Sequence, residues 1–91
     1  MEYRELVRSI PKPMWDPLSV KFMDILLEAK DSNTIHSSVA KTILYYWQRD
    51  QLASEAGLMT LFKTVVEADP ERALGVIDDF GLEEIKLAIS S

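Results

Sequence analysis

The sequence predicts an all-α protein, a compact bundle of five or six short helices. Apolar residues recur at three- and four-residue intervals in several segments, which is the spacing of one face of a helix. Prolines, capping residues and a glycine separate these segments, and no stretch shows the sustained alternation of a β-strand. At 91 residues the chain is expected to form one domain, residues 1–91.

The first two predicted helices are separated by a proline pair. A short amphipathic helix is predicted over residues 2–10, and Pro11-Lys12-Pro13 ends it, because proline lacks an N–H and restricts the residue before it. Asp16-Pro17 then marks a helix start, with the aspartate as the capping residue and the proline at the first helical position. This second helix is predicted to run from Pro17 to Lys30.

The middle of the chain contains two further predicted helices. In the turn Asp31-Ser32-Asn33, either Ser32 or Asn33 serves as the cap for a third helix from about Thr34 to Arg49. A fourth helix is predicted from Leu58 to Ala68. Residues 50–57 either continue the third helix or form a bend in which Ser54 caps the fourth.

The last part of the chain begins with a second Asp-Pro pair, the same helix-start signal as Asp16-Pro17. Asp69-Pro70-Glu71 opens a fifth helix that ends near Phe80, and Gly81 supplies a left-handed end to it. A last short helix is predicted from Leu82 to Ile89.

The second helix is expected to be the central one, because its apolar arc is too wide to be covered by a single neighbour. One apolar stripe consists of Leu18, Phe22, Ile25, Leu26 and Ala29. A second stripe beside it consists of Val20, Met23 and Leu27. Only Lys21, Asp24 and Glu28 form a polar strip on this helix.

The charge of the chain is acidic and unevenly distributed. The formal net charge is −5: residues 1–50 carry seven acidic and seven basic side chains, whereas residues 51–91 carry eight acidic and three basic ones. This balance disfavours direct nucleic-acid binding, which needs a basic surface for phosphates. The chain has no cysteine, no signal-like apolar stretch at its start and no apolar run near the ~18 residues of a membrane helix. We therefore expect a cytoplasmic protein with no membrane contact.

Neither a catalytic site nor a metal or cofactor site is indicated. The single histidine, His36, lies at the start of the third predicted helix, and the sequence points to no partner nucleophile or acid for it. Asp79-Phe80-Gly81 spells the magnesium-binding triplet of kinases without the other kinase motifs. The acidic residues Asp78, Asp79, Glu83 and Glu84 lack the spacing of a calcium-binding loop, so they form either a solvated face or a docking face for a basic partner.

The aromatic triplet Tyr45-Tyr46-Trp47 indicates a candidate binding surface. Successive helical residues point about 100° apart, so one buried face cannot hold all three side chains. The predicted buried face consists of Ile35, Val39, Ala40, Ile43, Tyr46 and Trp47. On the opposite side lie Lys41, Tyr45, Gln48 and Arg49, and an exposed tyrosine flanked by cations is typical of interface hot spots. The alternative is a tyrosine that lies flat across the protein surface or under the N-terminal segment.

A second aromatic residue follows the proline pair. Trp15 is expected to fold back over the end of the bundle, and the alternative is that it is presented to a partner.

These features favour a non-catalytic protein-interaction module, a small accessory subunit of a larger complex. Its partner is expected to be another protein or a second copy of the chain, bound through the Tyr45 surface or through the acidic second half. The alternative is an accessory domain of a nucleic-acid-processing or regulatory complex, which would contact nucleic acid through Lys41, Arg49 and the neutral N-terminal half of the chain. The sequence is not assigned to a known family.

Overall fold

A computed structural model of the chain describes residues 2–49 and 54–90, apart from the side chain of Tyr46. Within these residues the chain forms a 3-10 turn, Lys12–Met14, and six α-helices. The helices are α1 (Tyr3–Arg8), α2 (Trp15–Asp31), α3 (Ser37–Gln48), α4 (Glu55–Ala68), α5 (Pro70–Asp79) and α6 (Glu83–Ser90). The described residues include no β-strand, and the prediction of an all-α bundle is confirmed. None of these helices is both long and apolar enough to cross a bilayer.

Two helices share the centre of the bundle. α4 packs against α1, α2, α3 and α5, and α2 packs against α3, α4, α5 and the 3-10 turn. Phe22 of α2 and Phe62 of α4 are fully buried, with ring centroids 5.3 Å apart. Tyr3 meets the Phe62 ring edge-on at a centroid distance of 5.9 Å. α2 is therefore central, as predicted, but it shares that position with α4.

The apolar arc of α2 is narrower than predicted. The first predicted stripe is buried, including Leu18, Phe22 and Leu26. In the second stripe, which lies roughly 100–160° around the helix from Phe22, Met23 is buried, Leu27 is half-buried and Val20 is 49% exposed. The expected burial of Val20 is therefore wrong, because this residue lies beyond the arc that the neighbouring helices cover.

The two Asp-Pro pairs play different roles. Asp69 caps α5 as predicted, since its carboxylate accepts the N–H of Arg72 at 3.2 Å and Pro70 takes the first helical position. Asp16 does not cap α2, which begins at Trp15, and the residue at the N-cap, Met14, makes no side-chain capping bond. The 3-10 turn runs directly into α2, so the helix begins before Asp16 and places that residue inside its first turn.

The capping interactions correct the predicted bounds of α3 and α4. Ser54 caps α4 as predicted, by accepting the N–H of Gly57 at 3.1 Å, although α4 begins at Glu55 rather than Leu58. α3 begins at Ser37, and its cap is His36 instead of Ser32 or Asn33. The sequence leaves open whether residues 50–57 continue α3 or form a bend, and residues 50–53 of that stretch lie outside the described residues.

The same backbone arrangement ends both α2 and α5. Asn33 and Gly81 adopt left-handed conformations, with φ of 60° and 72°. The following residue then donates its N–H back into the helix, from Thr34 to the Ala29 carbonyl at 2.8 Å and from Leu82 to the Ile77 carbonyl at 3.2 Å. Gly81 is confirmed as the left-handed helix end. Because Ser32 and Asn33 terminate α2, they are not available to cap α3.

Trp15 closes one end of the bundle, as predicted. Its side chain is half-buried against the core, and its indole N–H donates a hydrogen bond to the Ile10 carbonyl at 2.9 Å. This bond satisfies both the indole N–H and the Ile10 carbonyl where the two groups are partly shielded from water. It holds the ring over the chain segment between α1 and α2.

Candidate functional site

α3 presents most of its surface to solvent. It packs against α2 and α4, and among its described side chains only Ala40 and Ile43 are fully buried. Leu44 is half-buried. The exposed members of the helix are Ser37, Ser38, Val39, Lys41, Thr42, Tyr45, Trp47 and Gln48.

The four residues predicted to bind a partner lie together on the outer side of α3. Lys41, Tyr45, Gln48 and Arg49 are all exposed, and 51% of Tyr45 is accessible. The guanidinium carbon of Arg49 lies 4.6 Å from the centre of the Tyr45 ring. Lys41 is one helical turn before Tyr45 on the same side. We call these four residues the Tyr45 strip.

The Tyr45 strip has the chemistry of a binding surface in an otherwise acidic protein. An arginine stacked over a tyrosine ring gains about 0.5–1 kcal/mol at an exposed site, which restricts both side chains before a partner arrives. The segment from Ser37 to Arg49 contains two cations, Lys41 and Arg49, and no acidic residue. A partner with carboxylates at its rim and an apolar surface for the tyrosine ring therefore complements this strip.

Trp47 is not buried, which corrects the prediction from the sequence. It lies at the same angle as Ala40 and Ile43 around the helix, to within about 40°, yet it is 42% exposed. Burial decreases along this face, from Ala40 and Ile43, which are buried, through Leu44, which is half-buried, to Trp47. The last turn of α3 thus extends past the packed core, and the inward face ends in an exposed indole.

Val39 is a second exception on α3. The sequence places it on the buried face, but it is 41% exposed. It lies about 100° from Ala40, at the edge of the arc that α2 and α4 cover. The predicted burial of Ile35 is met only in part, since this residue is half-buried. The side chain of Tyr46, the other predicted member of this face, lies outside the described residues.

His36 has a local structural role. Its ring Nδ1 accepts the backbone N–H of Ser38 at 3.1 Å and lies 2.7 Å from the Ser38 hydroxyl oxygen. The histidine thereby replaces the usual serine or aspartate as the cap of α3. Both of these contacts lie within the first turn of α3, so the observed role of the ring is to cap the helix.

The structure separates the four acidic residues that the sequence groups together. The Asp78 carboxylate accepts a hydrogen bond from the Lys86 ammonium at 3.0 Å, and this bond raises the pKa of Lys86. Asp79 faces the groove between α2 and α5, whereas Glu83 and Glu84 lie in the first turn of α6. Across the described part of the chain, no three acidic or histidine side chains are grouped so as to hold a metal ion.

Comparison with known proteins identifies no relative of this chain. No protein-family model, no curated protein and no solved structure matches the chain. The surface of α3 and the charges around it are therefore the basis on which a function is proposed.

Proposed function

We propose that this chain is a non-catalytic protein-interaction module that binds its partner through α3, as a small accessory subunit of a larger complex. The observation that supports this proposal most is the exposure of Val39, Tyr45 and Trp47 on one helix. Tyrosine, tryptophan and arginine are the residues most enriched at binding hot spots, and this helix exposes two of these aromatic side chains with Arg49 at its end.

The two exposed aromatic residues define how a partner engages α3. Tyr45 and Trp47 are two residues apart, so they project to opposite sides of the helix, about 160° from each other. Trp47 continues the apolar inward face beyond the core, and a partner that covers it extends that core. The Tyr45 strip, on the other side, supplies polar and cationic contacts at the rim of the interface. A partner that grips the C-terminal half of α3 therefore contacts both.

The proposed partner is another protein or a second copy of this chain, and the proposed location is the cytoplasm. Direct nucleic-acid binding is not expected, because the net charge is −5. The second candidate is an accessory domain of a nucleic-acid-processing complex. It is favoured by one feature, the stacking of Arg49 on the Tyr45 ring with Lys41 one helical turn away, since an aromatic face near cations also suits a nucleic-acid base and its phosphates.

The test starts from affinity capture with the full chain, identification of the captured protein and reconstitution from purified components. Tyr45→Ala and Trp47→Ala should each weaken the reconstituted complex about tenfold or more, as for aromatic hot spots. Val20→Ala is the matched control, because Val20 is an exposed apolar residue of α2 with accessibility similar to that of Trp47. Its affinity should equal that of the unchanged protein.

Two outcomes would contradict the proposal. If Tyr45→Ala and Trp47→Ala remain folded and bind the purified partner as tightly as the unchanged chain, the interface does not include α3. If single-stranded or duplex oligonucleotides bind the chain, and this binding weakens steeply as salt is raised, the nucleic-acid candidate is favoured instead. Fluorescence anisotropy over a salt series measures the second outcome.

A further inference from the structure

An open groove lies between α1 and α6, on helices that do not contribute to the α3 surface. Two adjoining depressions of about 390 Å³ and 280 Å³ form it and share Ser9, Glu84 and Ile85 as lining residues. Its floor is apolar, since Ile85 is buried and Leu6 and Leu82 are half-buried. α1 packs on α4, whereas α6 packs on α5, so the two helices flank the groove while each is supported from elsewhere.

Among the described residues, the charged side chains that line the groove are all acidic. Glu2 and Glu5 line it on the α1 side, Glu83 and Glu84 on the α6 side, and no lysine or arginine is among its lining residues. All four glutamates are exposed. None of them takes part in an ion pair in the part of the chain that the structure describes. Carboxylates gathered along one groove create a negative potential that attracts a cationic ligand.

The cations of the flanking helices are directed away from this rim. On α1, the Arg8 Nε lies 2.9 Å and the Arg4 Nε 3.7 Å from the Glu55 carboxylate of α4. On α6, the Lys86 ammonium lies 3.0 Å from the Asp78 carboxylate of α5. The cations of both helices are therefore paired to the helix behind them, although Lys86 also lies within electrostatic range of Glu83 at the rim.

An exposed leucine of α6 lies outside the groove. Leu87 is 67% accessible, the highest value among the large apolar side chains of the described residues. It is two residues from Ile85, so it projects about 160° away from that floor residue, and it does not line either depression. The site therefore combines an apolar floor with four glutamates, and Leu87 provides an apolar control position on the same helix.

We infer that the α1–α6 groove is a docking site for a basic amphipathic helix of a partner protein. The apolar side chains of such a helix recur every three or four residues and would pack on the half-buried Leu6, Leu82 and Ala88, while its lysines and arginines reach the glutamates. A second copy of this chain fits the groove less well, because α3, the helix without acidic residues, carries only one cation, Lys41, between Ser37 and Gln48.

The probe is a synthetic helix of leucine and lysine about 15 residues long, the length at which isolated helices become stable in water. Its control is a peptide of the same composition with the order scrambled, so that charge is kept and the apolar face is lost. Affinities for the full chain are measured by calorimetry at about 0.15 M salt, where long-range attraction is screened within about 8 Å. The amphipathic peptide should bind about tenfold more tightly than the scrambled one.

Matched variants separate the groove from general attraction to an acidic protein. Glu5→Gln with Glu84→Gln should weaken binding about fivefold or more, whereas Leu87→Ser, outside the groove on the same helix, should leave it unchanged. Glu67→Gln with Glu71→Gln removes the same charge outside the groove and should change affinity less than about twofold. Thermal melts check that each variant is folded.

Three outcomes overturn the inference. The first is an equal loss of affinity in both glutamate pairs, and the second is equal binding of the amphipathic and scrambled peptides. The third is a dimer of the chain itself that Glu5→Gln with Glu84→Gln abolishes, because it would identify a second copy as the occupant. Tyr45→Ala should leave peptide affinity unchanged, so failure at the groove would not bear on the proposal for α3.

Discussion

α2 and α3 are neighbouring amphipathic helices, but α2 is enclosed by other helices whereas α3 lies at the edge of the bundle. α2 is surrounded by α3, α4, α5 and the 3-10 turn, and it buries Phe22 and Leu26 completely. α3 has neighbours only in α2 and α4 among these contacts, and it leaves Tyr45 and Trp47 about half exposed. The difference shows that the number of neighbouring helices, and not apolar content alone, decides which side chains form the core. On a helix at the edge of the bundle, the apolar residues that no neighbouring helix buries remain exposed and accessible to a partner.

The comparison predicts its largest effect at the centre of α2. Phe22→Ala should lower the free energy of unfolding by about 3–5 kcal/mol, because it removes a fully buried ring and its contact with Phe62. Val20→Ala on the same helix should change it by less than about 0.5 kcal/mol. Urea unfolding followed by circular dichroism measures both. A loss below about 1 kcal/mol for Phe22→Ala would show that α2 is peripheral.

The next effect concerns the residue that anchors α3. Ile43 is buried, so Ile43→Ala should cost about 2–3 kcal/mol, at the lower end of the range because an edge helix can relax into the space left behind. The same unfolding measurement applies. A cost equal to that of Phe22→Ala would mean that α3 is as tightly enclosed as α2, and the distinction between the helices would fail.

A smaller effect compares two helix starts with the same dipeptide. Asp69→Ala should destabilise the protein by about 1 kcal/mol, because it removes the cap of α5. Asp16→Ala should cost less, since Asp16 retains only its favourable position in the first turn of α2. Thermal melts of the two variants decide the point. Equal losses would indicate that Asp16 also caps a helix in solution.

The stability effect of the Tyr45 strip should be smaller still. Tyr45→Ala should lower the free energy of unfolding by about 0.5–1 kcal/mol, because half of the side chain is exposed on the outer side of α3 and the change removes its stacking with Arg49. A loss as large as that of Ile43→Ala would place Tyr45 in the core and remove it from the candidate interface.

The two tryptophans provide a spectroscopic comparison of a half-buried and an exposed ring. In Trp15→Phe, the remaining emission comes from Trp47 and should be red-shifted and readily quenched by acrylamide. In Trp47→Phe, emission comes from Trp15, which is half-buried and hydrogen-bonded to the Ile10 carbonyl, and should be bluer and less accessible. Identical spectra and quenching in the two variants would contradict the exposed position of Trp47.

Local chemistry in the sequence determined much of this fold and part of the candidate site. The helical period identified the buried stripe of α2 and the outward direction of Tyr45, because both depend on angles within a single helix. Ser54, Asp69 and Gly81 were identified as helix ends for a similar reason, since a cap acts on backbone groups within a few residues of itself. Such interactions need no information about the rest of the molecule.

Only the tertiary structure decided which apolar positions are covered. Val20 and Trp47 have apolar side chains, and Trp47 even lies at an inward angle, but no neighbouring helix covers either of them fully. The groove between α1 and α6 could not be predicted from the sequence either. Glu5 and Glu84 come to one rim only because α1 packs on α4 and α6 packs on α5. Burial and clustered charge arise between elements distant in the chain, whereas periodicity and capping arise within one.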